Sequence, residues 1–330
     1  MDRRTVRRMW ASAAVCALAV LLAAPAAVSG SGAVARAASV PGGGDPARPV
    51  EGTPPASAAG GTGGLLASLP ESGSVAALSL SLPRTGLAPA AVEAAQATAA
   101  GSTELAVAVL DRATGELTTG ERGREPFYTA SLSKVVVAVD VLDRRRSEGL
   151  SVSAEDLTLL QRALGPSDDE AMNVLWTRFD GVGAIGRVAA RLGLYETTAP
   201  RDPSQWGEVS TSAADTVRLW EYVLGAMPAA DRDFLVDAME AAPAVARDGF
   251  DQAFGLLSRS VDGPGGPGAV AKQGWMCCFS RQYHLHSVGV VGPDERFLVA
   301  LLSRLPRDPG WDTARTELDA VAAEVVRALA

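Results

Sequence analysis

Lysine is scarce in this sequence. Thirty of the 330 residues are Lys or Arg, yet only Lys134 and Lys272 are lysines. An arginine-heavy composition makes lysine rare by itself, so the neighbourhoods of the two are what count. Arginine replaces lysine as a plain charge, but not where an amine must release or relay a proton. Histidine is rarer than in most chains, with His284 and His286 the only two, and the three cysteines are Cys16, Cys277 and Cys278. The adjacent cysteines and the two histidines lie close together, but their spacing fits no common zinc site, and no metal or cofactor is expected. His284 and His286 alternate on an expected strand and share one face, which makes His286, with the nearby Tyr283, an option for substrate contact. In an exported chain the cysteine pair has three options: a vicinal disulfide, pairing between molecules, or free thiols. Positive charge is not in excess, since the formal net charge is −8. An acidic chain argues against nucleic acid as a partner. No internal repeat occurs.

The N-terminus has the plan of an export signal. Arg3, Arg4, Arg7 and Arg8 precede an apolar run from Trp10 to about Val28, and Ala35-Arg36-Ala37 offers a small-residue cleavage site before Ala38. Residues 1–37 are therefore expected to be a signal peptide, and the product secreted or extracytoplasmic. The alternative is an uncleaved membrane anchor, because the run is almost long enough to span, although Pro25 and the alanine content disfavour it. Cys16 has no Leu-Ala-Gly pattern before it, so a lipid anchor is not expected. Cleavage would remove five arginines and Asp2, taking the net charge from −8 to −12. Residues 38–100 are rich in Ala, Gly, Pro and Ser and read as a tether, with a first helix at Ala90–Ala100 as an option. Leu82-Pro83-Arg84-Thr85-Gly86 matches a sortase signal by letters only, since no apolar segment and basic tail close the chain. Residues 101–330 are long enough for one sizeable domain.

Within that domain Glu104–Leu110 and Glu116–Thr119 read as a strand pair turned by Asp111–Gly115. Helices are expected at Ser153–Leu164, opened by the capping sequence Ser153-Ala154-Glu155-Asp156, at Val182–Leu192 before Gly193, from Thr211, and at Phe234–Met239. Strands follow at Ala269–Lys272, Leu285–Val291 and Phe297–Ser303, then a helix from about Thr313. This order gives an α/β (α+β) sandwich, with early strands pairing with late ones in one antiparallel sheet flanked by helices.

The two lysines fall in sequences with chemical logic. Ser131-Leu132-Ser133-Lys134 precedes the apolar run Val135–Val139, so a helix starts near Ser131 and places Lys134 on the same face as the hydroxyl. A hydroxyl needs a base to act as a nucleophile. A solvated lysine is a poor base, but burial or a second cation lowers its pKa. Further on come Ser167-Asp168-Asp169, opening another helix, and Lys272-Gln273-Gly274-Trp275. In this order the three segments resemble the S-x-x-K, S-D-N and K-T-G set of class A β-lactamases and penicillin-binding proteins.

The resemblance runs from about residue 103 to the C-terminus. It implies a β-lactamase-like fold with an all-helical subdomain, trimmed here because only one short helix fits between the first and second segments, with the nucleophile between the halves. It implies that Ser131 is acylated and that Lys134 is its base or part of the relay. Ser167 would pass a proton to the leaving nitrogen, although it is also a plausible N-cap. Lys272 would support that relay and attract a substrate carboxylate. The backbone N–H groups of Ser131 and Trp275 would form the oxyanion hole. Asp169, Gln273, Gly274 and Trp275 would contact substrate.

Three departures stand out. Asp169 replaces Asn and can only accept when ionised. Gln273 replaces a hydroxyl residue. Between Leu194 and Thr211 there is no Glu-x-x-x-Asn segment of the kind that activates the deacylating water; Glu208 or Glu196 is an option as a substitute, although the spacing differs from the family's. The expectation is a serine hydrolase of β-lactamase or DD-peptidase type, acting on a β-lactam or a D-alanyl cell-wall peptide, with a persistent acyl-enzyme. The alternatives are a catalytically impaired relative that binds peptidoglycan or a partner through the same cleft, and an ordinary esterase.

Overall fold

The computed structural model describes residues 84–258, 261, 269–308 and 310–330. The expected signal peptide, its cleavage site, Cys16 and most of the tether lie outside them. Eight helices and seven strands are described: α1 (Leu87–Thr98), β1 (Glu104–Asp111), β2 (Glu116–Thr119), β3 (Phe127–Tyr128), α2 (Ser133–Ser147), α3 (Ala154–Leu164), α4 (Asp169–Arg178), α5 (Gly181–Leu192), β4 (Ser210–Thr211), α6 (Ala213–Glu221), α7 (Ala229–Glu240), β5 (Val270–Cys277), β6 (Gln282–Val291), β7 (Phe297–Pro306) and α8 (Trp311–Leu329). Five strands form one antiparallel sheet in the order β2-β1-β7-β6-β5. The early strands pair with the late ones, as the pattern predicts.

The sheet is apolar on both faces, which is why β1 and β7 read as unbroken hydrophobic runs. On one face Ala106, Ala108 and Leu110 of β1 and Leu298, Ala300 and Leu302 of β7 join the core under α2 and the other helices. On the other face Leu105, Val107 and Val109 join Val299, Leu301 and Leu305 beneath α1 and α8. The packed domain therefore begins before residue 101. Leu87, Ala88, Ala91, Val92 and Ala95 of α1 are buried, so the tether expected over 38–100 gives way to domain by Leu87.

Local signals explain several boundaries. Ser153 and Asp156 form the reciprocal capping box that opens α3. Gly193 ends α5 with φ 64°, a left-handed stop that glycine adopts at little cost. Helix α2 is buried along nearly its whole length from Ser133 to Asp143. Its buried acids are matched by polar groups from outside and from its own last turn: Arg187 clamps Asp140 at 2.9 and 2.7 Å, while Arg191 and Tyr222 from outside and Arg146 of the helix itself reach Asp143. Helix α2 is thus held in the interior by packing and by ion pairs on its far half. Strand β5 is longer than expected and runs through Cys277, so Gln273, Gly274 and Trp275 are strand residues. No described helix is long and apolar enough to cross a membrane.

Candidate active site

Ser131 sits in a 3-10 turn, Ala130–Leu132, that feeds directly into α2. The turn is entered through Ala130 at φ 46°, and Ser167 lies at φ 55°. Both are left-handed positions occupied by residues with a side chain, a strain that surrounding structure must hold. Lys134, one turn after Ser131, meets four oxygens: Ser131 Oγ at 2.9 Å, Ser167 O at 2.7 Å, Ser167 Oγ at 3.1 Å and Asp169 Oδ1 at 2.7 Å. Lys272 comes from β5 on the opposite side. Its Nζ lies 2.9 Å from Ser167 Oγ and donates to the Gln273 carbonyl at 2.9 Å. The four residues expected to be catalytic therefore form one unbroken hydrogen-bonded path, Ser131–Lys134–Ser167–Lys272. All four are buried, with at most 4% of their surface exposed.

Ser167 is not the cap of α4. Asp168 takes that role, accepting from the N–H groups of Glu170 and Ala171, while Arg162 grips its other oxygen at 3.0 and 2.6 Å. Burial would raise the Asp168 pKa, but Arg162 and the two backbone donors outweigh it and keep the carboxyl below its ordinary range. This division leaves the Ser167 hydroxyl to the two lysines.

The electrostatics follow from burial. Desolvation pulls Lys134 below the usual lysine value, and the Asp169 carboxylate beside it pulls back the other way. Lys272 is pushed well below its usual value, first by desolvation and then by the charge on Lys134. Asp169 stands in the first turn of α4 with 56% of its side chain exposed, and it is the carboxylate paired with Lys134. Trp206 lies over the same ammonium, 4.8 Å from Nζ to ring centroid, and its indole N–H donates to Asn173 Oδ1 at 2.8 Å.

The loop that brings Trp206 is tied at both ends. Thr198 bridges Ser210, Trp176 Nε1 donates to the Pro203 carbonyl at 2.7 Å, and buried Asp215 accepts from Glu196 N and Thr197 Oγ1. Glu196 is engaged at that anchor, receiving the Ser212 hydroxyl at 3.3 Å. Among the described residues neither Glu196 nor Glu208 pairs with Ser131, Lys134 or Ser167. What the loop supplies to Lys134 is an aromatic face.

Of the four residues expected to contact substrate, the structure brings three close to the two lysines or to the Ser131 turn. Asp169 is there as the partner of Lys134. Gly274 allows a close approach, since a Cβ on it would stand 2.9 Å from the Thr129 carbonyl oxygen and 3.4 Å from Leu132 Cγ. The strand can thus lie against the Ala130–Leu132 turn. Trp275 stacks on Phe250 at 4.8 Å and donates its indole N–H to Asp248 at 3.0 Å. Asp248, which the sequence reading missed, bears on both lysines through its charge. Its loop has no motif that singles it out.

Gln273 is the one that does not join them. It is buried, and its amide donates to the carbonyls of Phe254 and Gln252, because alternation along β5 turns it into the packing. The histidines are also structural. The Ser303 N–H donates to His286 Nδ1 at 3.2 Å, so the ring proton sits on Nε2, which donates to the Tyr128 carbonyl at 2.7 Å. Tyr283 stacks on Trp311. Cys277 and Cys278 are paired with each other across a cis peptide bond. No described cluster of His, Cys, Asp and Glu could hold a metal ion.

No protein-family model matches the chain. It is 34% identical over 226 residues to the protein named "Putative lipoprotein LppW" in Mycobacterium tuberculosis and Mycobacterium bovis, covering 68% of this chain and 69% of theirs. Among solved structures, the TLA-1 extended spectrum β-lactamase superposes with a TM-score of 0.61 at 13% identity, covering 73% of this chain and 99% of that one. A class A β-lactamase from Mycobacterium abscessus gives 0.56 at 19% identity, covering 73% and 98%. A β-lactamase from Chitinophaga pinensis gives 0.56 at 17%, covering 73% and 97%. At these identities the structures speak for the fold.

Proposed function

The chain belongs to the family of mycobacterial LppW, a divergent branch of the β-lactamase-like superfamily, and on that premise we propose that it is a serine hydrolase working through an acyl-enzyme at Ser131. The substrate is a β-lactam or a D-alanyl peptide of cell-wall precursors. The observation that carries this reading is the buried path Ser131–Lys134–Ser167–Lys272, with both serine hydroxyls and both amines within 3.1 Å of a neighbour. A binding module has no use for two desolvated lysines joined through a serine, since each costs free energy to bury. A proton-transfer relay does.

In the reaction, Ser131 Oγ attacks the acyl carbon as its proton enters the relay. The backbone N–H groups of Ser131 and Trp275 take the developing oxyanion. Ser167 returns a proton to the leaving nitrogen, after which the C–N bond breaks. The loop carrying Trp206 presents no carboxylate to activate a deacylating water, so the acyl-enzyme persists. This favours penicillin-binding or DD-peptidase behaviour over efficient β-lactam turnover. The lipoprotein name of the relatives supports an extracytoplasmic, envelope-associated location for this chain.

A second reading, a catalytically silent binder of wall peptide, is favoured by Asp169, whose carboxylate occupies Lys134 and would repel an acidic ligand. Intact-protein mass spectrometry with a penicillin, beside Ser131→Ala, separates the two. A stable adduct dependent on Ser131 supports the acyl-enzyme with slow deacylation. Consumption of penicillin without an adduct, again dependent on Ser131, supports β-lactamase turnover. Neither adduct nor consumption, also with D-alanyl peptides and activated esters, refutes the hydrolase.

A further inference from the structure

Two buried lysines share one serine, and the structure treats them unequally. Lys134 Nζ has two partners that can only accept, the Ser167 carbonyl and the Asp169 carboxylate, both at 2.7 Å. The Trp206 ring faces the same nitrogen, an arrangement that favours a cation. Lys272 Nζ has Ser167 Oγ and the Gln273 carbonyl, and among the described residues no carboxylate lies within ion-pair distance of it. An ammonium there would bury a unit charge against two neutral oxygens. The Trp275 ring is farther off, at 5.8 Å. Two adjacent buried amines resist carrying two charges.

We propose that Asp169 is a positioning residue that fixes the single positive charge of the lysine pair on Lys134 and leaves Lys272 as the uncharged amine that ends the proton path. Its use in chemistry rests on the acyl-enzyme reading above; the charge assignment itself does not. The step balances as a relay of three transfers. The Ser167 proton passes to the Lys272 lone pair and Lys134 gives one of its own protons to Ser167 Oγ, which opens a lone pair on Lys134 Nζ. As Ser131 Oγ bonds to the acyl carbon and the carbonyl electron pair moves to oxygen, the Ser131 proton passes to that lone pair. On collapse Lys272 returns that proton through Ser167 to the leaving nitrogen, and both lysines regain their resting state.

Other charged groups face the pair. Asp248, from the loop before β5, acts on both lysines and so does not distinguish them, and Asp168 is already held by Arg162 with Arg247 at 4.0 Å. The Asp169 charge also reaches Lys272, and Asp168 bears on Lys134 alone, but Asp169 is the carboxylate in contact with one lysine and not the other, 2.7 Å from Lys134 Nζ. Burial and the Lys134 charge push Lys272 well below its ordinary value, whereas at Lys134 the Asp169 carboxylate works against burial.

The scarcity of lysine makes a direct test available. The chain is labelled with ¹³C at lysine Cε, which gives two side-chain signals, assigned by contacts to the Trp206 and Trp275 rings and by Lys272→Arg. In the resting wild-type protein at pH 7.5, the Lys134 signal is expected at the ammonium position and the Lys272 signal at the free-amine position. In Asp169→Asn, which keeps the size of the side chain, the Lys134 midpoint is expected to fall by about one pH unit or more, a tenfold change in proton affinity. A charged Lys272 in the wild type, or a Lys134 midpoint unmoved by Asp169→Asn, overturns the proposal. No acyl donor is involved, so the absence of both adduct and consumption with penicillin, D-alanyl peptides and activated esters would refute the hydrolase reading without touching this result.

Discussion

The acid sensitivity of this fold is expected to come from its two histidines, and His286 allows the effect to be isolated. His286 is fully buried, its Nδ1 accepts from Ser303 and its Nε2 donates to the Tyr128 carbonyl, three residues ahead of Ser131. Burial, with the neighbouring His284, pulls its pKa from 6.5 to about 3, and burial with Arg304 pulls His284 to about 4. In the unfolded chain both take a proton near pH 6.5, while in the folded chain they stay neutral until far lower pH. Stability from this source is therefore fully present above pH 6.5 and declines as pH falls from there toward 3. Between pH 7 and pH 5 each histidine costs about 2 kcal/mol by linkage, a figure that hardly changes if the folded value is a unit higher or lower. Reversible urea unfolding at the two pH values measures it. His286→Gln keeps a donor for Tyr128 and removes the titration. The wild type is expected to lose about 2 kcal/mol more than the variant between pH 7 and pH 5. Equal losses in the two proteins would refute the reasoning, because a His286 that protonates alike in both states contributes no slope.

Three other changes probe the site. Lys134→Arg keeps the charge and the Asp169 partner but cannot relay a proton, and it is expected to slow Ser131 acylation by about a hundredfold or more; a rate within tenfold of wild type, read as adduct formation over time, would show that the position supplies charge alone. Gly274→Ala places a Cβ 2.9 Å from the Thr129 oxygen, so urea unfolding is expected to show a loss of about 1–3 kcal/mol. A gain of the kind that an unstrained glycine replacement gives would mean that strand and nucleophile turn are not in contact. Asp168→Ala removes the cap of α4 and the partner of Arg162 and should cost about 1–2 kcal/mol, whereas Asp168→Asn, which still caps, should cost less by the same assay.

What the sequence made legible was whatever rests on local chemistry. Ser153 and Asp156 announce the start of α3 because a capping box is satisfied within four residues. The apolar runs of β1 and β7 announce strands covered on both faces, and the order of elements fixes the pairing of early with late strands. Ser131 and Lys134 are legible as a pair because one helical turn brings them together. Long-range features were less so. Helix α1 looks like tether in composition, and only its packing against the sheet and α8 makes it part of the domain. Gln273 reads as a cleft residue by position in its motif, yet the direction of a β5 side chain depends on where β5 lies in the sheet. Trp206 and Asp248 reach the lysines from loops whose sequences resemble any other loop.

The departures from the family pattern make more sense together than apart. Loss of the loop glutamate alone would leave Lys134 buried with no counter-charge at hand, a state that costs far more than the lost hydrogen bond because an unpaired buried charge is not resolvated. An aspartate at 169 alone would add a second acid beside an existing one and raise the repulsion between them. In this chain the carboxylate stands on α4, 2.7 Å from Lys134, and the loop offers the face of Trp206, held by Asn173. The anion beside Lys134 thus stands on the helix, and among the described residues no carboxylate of the loop pairs with it. On the acyl-enzyme reading proposed above, this arrangement favours acylation of Ser131 over rapid release, and it predicts that a glutamate introduced on the loop raises turnover only if Asp169 is changed to asparagine at the same time.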